Sequence, residues 1–285
     1  MKINLLKSAL IGALTVTALT VTALASSYAN AHAQWLVPSH TSLSGDKAHY
    51  VMIDASISNE IFAPDKAYRP TEKDAQYDDN LLMAIGPDGK PISDNIRAYF
   101  LQRKNSAAVK LTNEGTYHIA MKREPRLMTF YKDAKGERRR VFGGKNSKDI
   151  PADATDIKTT KAFSTVDTFV SRNGTSKPAL LGKGLEISGP THPNDLFVGE
   201  QARFQLLKAG KPAANVELAI LKGDTRYRNE RGEVKVTTDK NGFFSTTWQH
   251  PGLYLIEASV SEESSEKGID NVRYSLFTTL DVAPE

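Results

Sequence analysis

Cysteine is absent from the 285-residue sequence. Its absence excludes disulfides, a thiol nucleophile and a lipid anchor on a lipobox cysteine, so an exported chain of this kind is held by its core alone. An excess of charge is missing too: 37 Lys and Arg face 33 Asp and Glu. That near-balance argues against a general nucleic-acid binder. G-x-S-x-G, H-E-x-x-H and a phosphate loop are also missing; Gly86, Gly89, Gly143 and Gly144 are turn glycines that open no helix. The acidic residues are scattered without a pair placed for acid–base work. No catalytic residue is assigned, and the sequence does not read as an enzyme. Beyond the N-terminal segment, no stretch approaches the roughly 18 consecutive apolar residues that span a bilayer.

What is there begins with an export signal. Lys2 and Lys7 precede "SALIGALTVTALTVTALA" (residues 8–25), and Ser26 to Ala31 supplies a cleavage region. Two small-x-small triplets overlap, Ala29-Asn30-Ala31 and Ala31-His32-Ala33. The first cut places His32 at the mature N-terminus; the second discards it. The expectation is a signal peptide over 1–31 and a periplasmic chain of a Gram-negative bacterium, with no stable membrane insertion after cleavage. Loss of Lys2 and Lys7 lowers the formal charge by two from +4. One local cationic run, "KGERRR" (residues 135–140), reads as a solvated hairpin tip, with lipid head groups or another anion as the alternative contact.

Period-two patterning dominates the rest. In "AHYVMIDAS" Tyr50, Met52 and Asp54 alternate with Val51 and Ile53, and further short runs follow between Gly, Asn, Asp and Lys turns. Helical periodicity is hard to find. Residues 143–162 are polar, and "FSTVDTFVS" (163–171) reads as one more strand. The expected architecture is all-β: two antiparallel β-sandwich domains in tandem, at 32–172 and 185–285, joined by a linker at 173–184.

The second half has about seven strand candidates, the immunoglobulin-like count. Val216, Leu218 and Ile220 share a face, as do Tyr254, Ile256, Ala258 and Val260, so each strand has one core face and one wet face. In "TTDKNGFF" Asp239 can accept backbone N–H groups, Gly242 can take the left-handed position, and an aromatic turns into the core. With "GKPAANVELAIL" before it and "HPGLYLIEASV" after it, this stretch resembles the carboxypeptidase regulatory-like module, a transthyretin-like β-sandwich.

The remaining chemistry lies in six histidines, none at close metal-ligand spacing. If Tyr117 and Ile119 face the core, His118 faces out. His192 precedes Pro193 and is biased to an extended conformation, and "THPND" adds Asp195. His32, given the first cut, offers an α-amine and an imidazole to one metal. One further histidine would complete an N3 histidine brace, which suits Cu(II) and can take Ni(II). Trp35 and Leu36 would start the first strand and tether that terminus.

The signal, "AHAQWLVPS", "THPNDLFVGE", "TRYRNERGE" and "TTDKNGFFSTTWQHPGLYLIEA" together resemble bacterial periplasmic proteins of unknown function labelled as the periplasmic component of cobalt or nickel transport (NikM/NikK-like). The resemblance implies divalent-metal uptake and a mature chain beginning near a histidine, which maps to His32. One reading is therefore a metal-binding accessory protein that takes Ni, Co or Cu at His32, with His118, His192 and Asp195 as further ligands, and delivers it to an envelope transporter. The other is a metal-free adaptor docking on an outer-membrane receptor or another envelope protein. A copper oxygenase built on the brace is a third. Metal delivery predicts a second histidine within reach of His32. The adaptor predicts dispersed histidines and an exposed apolar patch.

Overall fold

The computed structural model describes residues 33–68, 76–78, 81–92, 96–224 and 231–285. The chain divides into two compact units, Met1–Ala31 and His32–Glu285, and every described residue falls in the second. No helix occurs among the described residues, and none is long and apolar enough to cross a membrane.

The chain opens with β1 (Ala33–Pro38), β2 (Ser42–Leu43), β3 (His49–Ser58), β4 (Gln76–Asp78) and β5 (Leu82–Ile85). It continues through β6 (Pro91–Ile92), β7 (Ile96–Phe100), β8 (Asn105–Leu111) and β9 (Gly115–Met121). The hairpin of β10 (Arg126–Lys132) and β11 (Arg138–Phe142) precedes β12 (Thr155–Arg172). After Gly184 come β13 (Leu185–Ser188), β14 (Gln201–Lys208), β15 (Lys211–Pro212) and β16 (Glu217–Lys222). Last are β17 (Val234–Thr237), β18 (Phe243–Thr247), β19 (Gly252–Glu263) and β20 (Asn271–Val282).

Three sheets result among the described residues. Strands β1-β3-β8-β7-β4 form one, β13, β14, β15 and β18 another, and the third runs β17-β16-β19-β20-β12-β9-β5-β6, with β2, β10 and β11 joined to it through β12 and β10. Alternation explains the first core. Val51 and Ile53 of β3, Val109 and Leu111 of β8, and Tyr117 and Ile119 of β9 meet Val166 and Val170 of β12. The second core is built the same way from Phe204, Leu206, Leu218, Ile256, Leu276 and Trp248.

Three particulars differ from the sequence expectations. First, β12 starts at Thr155, well before Phe163. Its polar early residues are β-branched at every second or third position and find partners on both sides, β10 antiparallel and β20 parallel. Antiparallel pairing holds elsewhere among the named strands except for β2 on β12. Second, the arginines of the 135–140 run lie in β11; the hairpin tip is Asp133–Gly136, where Asp133 accepts the N–H groups of Lys135 and Glu137. Third, the supposed wet face of β16 and β19 is partly dry. Leu221 and Leu255, with Ala219 and Phe277, pack on Ala33, Trp35 and Ile61 in a third cluster. Near-continuous apolar runs such as "LAIL" and "LYLI" suit strands covered on both faces. That cluster and the nine-pair β12–β20 ladder bind the residues before and after 173–184 to each other.

The turn at Asp239 follows its sequence logic. Its Oδ1 accepts N–H groups from Asn241 and Phe243 at 2.8 and 2.9 Å, and Gly242 has φ 79°. A Cβ on Gly242 would lie 2.8 Å from the Leu206 carbonyl oxygen, so the close approach as well as φ requires glycine.

Candidate functional site

The β9–β12 register sets Phe169 opposite His118 and Ser171 opposite Thr116. Thr116 and His118 therefore share one face of β9, with Asp167, Phe169 and Ser171 beside them on β12. His118 is only 1% exposed, which corrects the outward-facing expectation. The face opposite Tyr117 and Ile119 is not solvent; the segment after β12 crosses it.

His118 Nδ1 lies 2.8 Å from the Ala179 carbonyl oxygen, and Nε2 lies 2.9 Å from Asp167 Oδ2. Both neighbours are acceptors, so both ring nitrogens donate and the ring is an imidazolium. Burial disfavours that charge. The Asp167 hydrogen bond and charge, the Ala179 carbonyl and the charge of Glu186 outweigh it and raise the His118 pKa above its usual value. Asp167 is anchored in turn: its Oδ1 accepts from Thr278 Oγ1 at 2.6 Å, across the β12–β20 pair. The Phe169 ring stacks on His118 with centroids 4.4 Å apart. Glu186 is fully buried and accepts the N–H groups of Leu181 and Gly182 at 2.6 and 3.0 Å. Burial raises its pKa, opposed by those N–H groups and by His118. A histidine–aspartate pair orients a catalytic base when the far nitrogen is open to a nucleophile. Here a backbone carbonyl fills that position.

His192 lies on the same seam but in a separate arrangement. Its Nε2 stands 2.9 Å from Thr116 Oγ1 and 3.0 Å from the Ser176 carbonyl, and its Nδ1 accepts the Asn194 N–H at 3.1 Å. That pattern is the neutral, Nε2-protonated ring. Burial lowers its pKa, against the Ser176 carbonyl and Asp195. Asn194 ties the seam to the first half through Thr41 O and Ser171 Oγ. Asp195 is exposed.

Of the four residues singled out as metal ligands, His32 lies outside the described residues. The structure sets His118 and His192 against one strand, two residues apart at Thr116 and His118, but gives each nitrogen its own protein partner. A metal on either would displace an existing hydrogen bond. No group of three or more His, Cys, Asp or Glu side chains among the described residues is placed to hold a metal ion. Next to His192, Phe169, Phe204, Ile187, Pro190 and Lys177 border a pocket of about 260 Å3, below the usual ligand range of about 300–1,000 Å3.

Asp167 and Glu186 escaped the sequence reading. The available signal was a lone carboxylate inside each of two apolar strands, "FSTVDTFVS" and "LEIS". Such a residue is either on the wet face or paired, and the pairing partner was remote.

The exposed surfaces hold a different arrangement. On the outer face of the five-stranded sheet, Tyr50 and Met52 of β3 and Tyr99 of β7 are 63%, 41% and 43% exposed. Between them runs β8: Lys110 pairs with Tyr50 and sets its Nζ 5.7 Å from that ring, Ala108 pairs with Met52 and Arg97, and Ser106 pairs with Asp54 and Tyr99. The result is a sheet face on which exposed aromatic and thioether side chains alternate with small and charged ones.

A family model described as a domain of unknown function (DUF4198) matches residues 29–262. No curated protein matches the chain. Among solved structures, the D0-D1 domain of intimin is 13% identical, covering 86% of this chain and 97% of its own, with a TM-score of 0.20. A three-immunoglobulin-domain titin structure (I67-I69) is 9% identical, covering 88% and 65%, with a TM-score of 0.19. Likeness at these scores carries no argument about mechanism.

Proposed function

Because the chain belongs to the DUF4198 family, whose description assigns no activity, we propose from its surfaces that it is a binding module that docks on another envelope protein through the outer face of the five-stranded sheet. The observation that carries this is the exposure of Tyr50, Met52 and Tyr99 on one sheet face, with Ala108 between Met52 and Arg97. A rigid sheet that leaves aromatic and thioether side chains in water is what a protein interface uses, since these residues supply contact area at low entropic cost. The separate, saturated settings of His118 and His192 favour the same reading over metal delivery.

A photocrosslinking residue at position 52, in cells making the full chain, should trap one envelope protein. The same probe at the exposed position 240 should not, and Tyr50→Asp should abolish the adduct. Equal labelling from both positions, or none, removes the proposal.

Nickel, cobalt or copper delivery from His32 is the second reading. One observation favours it: the residues that follow are pinned. Ala33 and Trp35 are buried, and Gln34 Oε1 accepts from Arg123 at 2.7 Å. A histidine at such a terminus would be held in place. Intact-mass measurement with one equivalent of Cu(II) or Ni(II) should then show a chain beginning at His32 that holds one ion and loses it in His32→Ala. A chain beginning at Gln34 ends this reading.

A further inference from the structure

The β10–β11 hairpin and the start of β12 form a ribbon with an unusual face. Cross-strand pairs set Met128 of β10 between Phe142 of β11 and Thr160 of β12, set Phe130 between Arg140 and Lys158, and set Arg138 beside Lys132. By alternation these side chains, with Arg126, share one side. Farther along β12 the same side covers the first core through Val166 and Val170. At the ribbon no sheet among the described residues covers it, and Phe142 is 68% exposed.

The charges on this side are nearly all of one sign. Among the described residues, Arg126, Lys132, Arg138, Arg140 and Lys158 meet two carboxylates: Asp156, 3.5 Å from Lys132 and 4.0 Å from Lys158, and Asp270, which pairs with Lys145 and whose charge also acts on Lys158. Arg138 and Arg140 form no ion pair with a described residue, whereas Arg139, pointing to the other side, pairs with Asp133 and Glu137. The near-neutral whole chain makes this segregation local. A concavity of about 560 Å3 lies along Phe130, Arg138 and Lys158.

We propose that this face docks on an anionic phospholipid surface. Charge complementarity sets the sign of the partner, and Phe142 with Met128 sets its kind. A soluble anion or an acidic peptide held by the arginines alone leaves that aromatic ring in water. The headgroup layer takes phosphates and an aromatic ring together, and each Lys or Arg near such a surface contributes about five-fold in partitioning. The attachment is peripheral and reversible. It uses a different surface from the Tyr50–Met52 face, so either can fail alone.

The test is co-sedimentation of the purified protein with vesicles of phosphatidylcholine alone or with phosphatidylglycerol added. Binding should require phosphatidylglycerol and disappear at high salt. The exposed double variant Arg138→Glu/Arg140→Glu should weaken it by roughly 25-fold or more, and Phe142→Ser should weaken it several-fold. Lys240→Glu, a charge control elsewhere, should leave it unchanged; unaltered thermal melting checks the fold of each. No binding, or equal binding to both vesicle types, overturns the proposal. So does displacement by millimolar inorganic phosphate with Phe142→Ser neutral, which marks a discrete anion site. Tighter binding to a poly-glutamate peptide than to vesicles points to an acidic protein and overturns it as well.

Discussion

Replacing Asp167 by Asn would strand a buried cation. His118 has no other carboxylate in hydrogen-bond reach among the described residues, and breaking one side of a buried pair costs about 3–5 kcal/mol. Chemical denaturation should show a loss of that order for Asp167→Asn; a loss under about 1 kcal/mol would mean the ring is neutral. The pH dependence gives an independent readout. The folded pKa of His118 is raised above 6.5, so the folded state holds the proton more tightly than the unfolded chain. The resulting stability is complete below pH 6.5 and is lost as pH rises through the folded value. Glu186, also raised, slopes the same way from its ordinary value of 4.5 upward. His192 is lowered and slopes the opposite way: its contribution is present above 6.5 and is lost as pH falls through the folded value. Denaturation midpoints across this range should therefore fall on the alkaline side in the native sequence. His118→Gln should flatten that decline, and His192→Gln should leave it in place.

At the scale of single elements, the Asp239 turn offers a sharp test. Gly242→Ala meets both a positive φ and a 2.8 Å contact with the Leu206 carbonyl. It should destabilise by more than about 1 kcal/mol in urea denaturation. Gly136 and Gly210 also have positive φ but open space around the missing Cβ, so alanine there should cost less than at Gly242. This turn was legible in the sequence because all of its determinants sit within five residues. So was β3, where Val51 and Ile53 alternate with Tyr50 and Met52. The early part of β12 was not: "TDIKTTKA" has no apolar face, and it becomes a strand only because β10 and β20 flank it. Nor was the burial of His118, which depends on Ala179 and Glu186, residues more than sixty positions away that local patterning does not see.

For the whole molecule, β12 and the Trp35 cluster set the unit of unfolding. The two large cores lie on either side of one continuous sheet, and the third cluster joins β1 to β16 and β19. The protein should therefore unfold in one cooperative step. Trp35 reports on the third cluster and Trp248 on the second core. Single-tryptophan variants, made with Trp→Phe at the other position, should give superimposable urea transitions. Transitions separated by more than experimental error would mean that the halves fold independently and that residues 173–184 act as the only effective joint.

The 18-residue β12 also sets how the molecule bears load. At roughly 3.3 Å per residue it is a rod of about 60 Å. Its middle part is clamped edge to edge against β20 over nine residue pairs running in the same direction. Hydrogen bonds in such a ladder lie across the strand axis, so a pull along β12 against β20 strains all of them at once in shear. A pull across the strands would peel them one at a time. A module attached to its surroundings on one side through the β10–β11 ribbon and on the other through the five-stranded sheet would transmit tension along this rod, the direction in which it yields last.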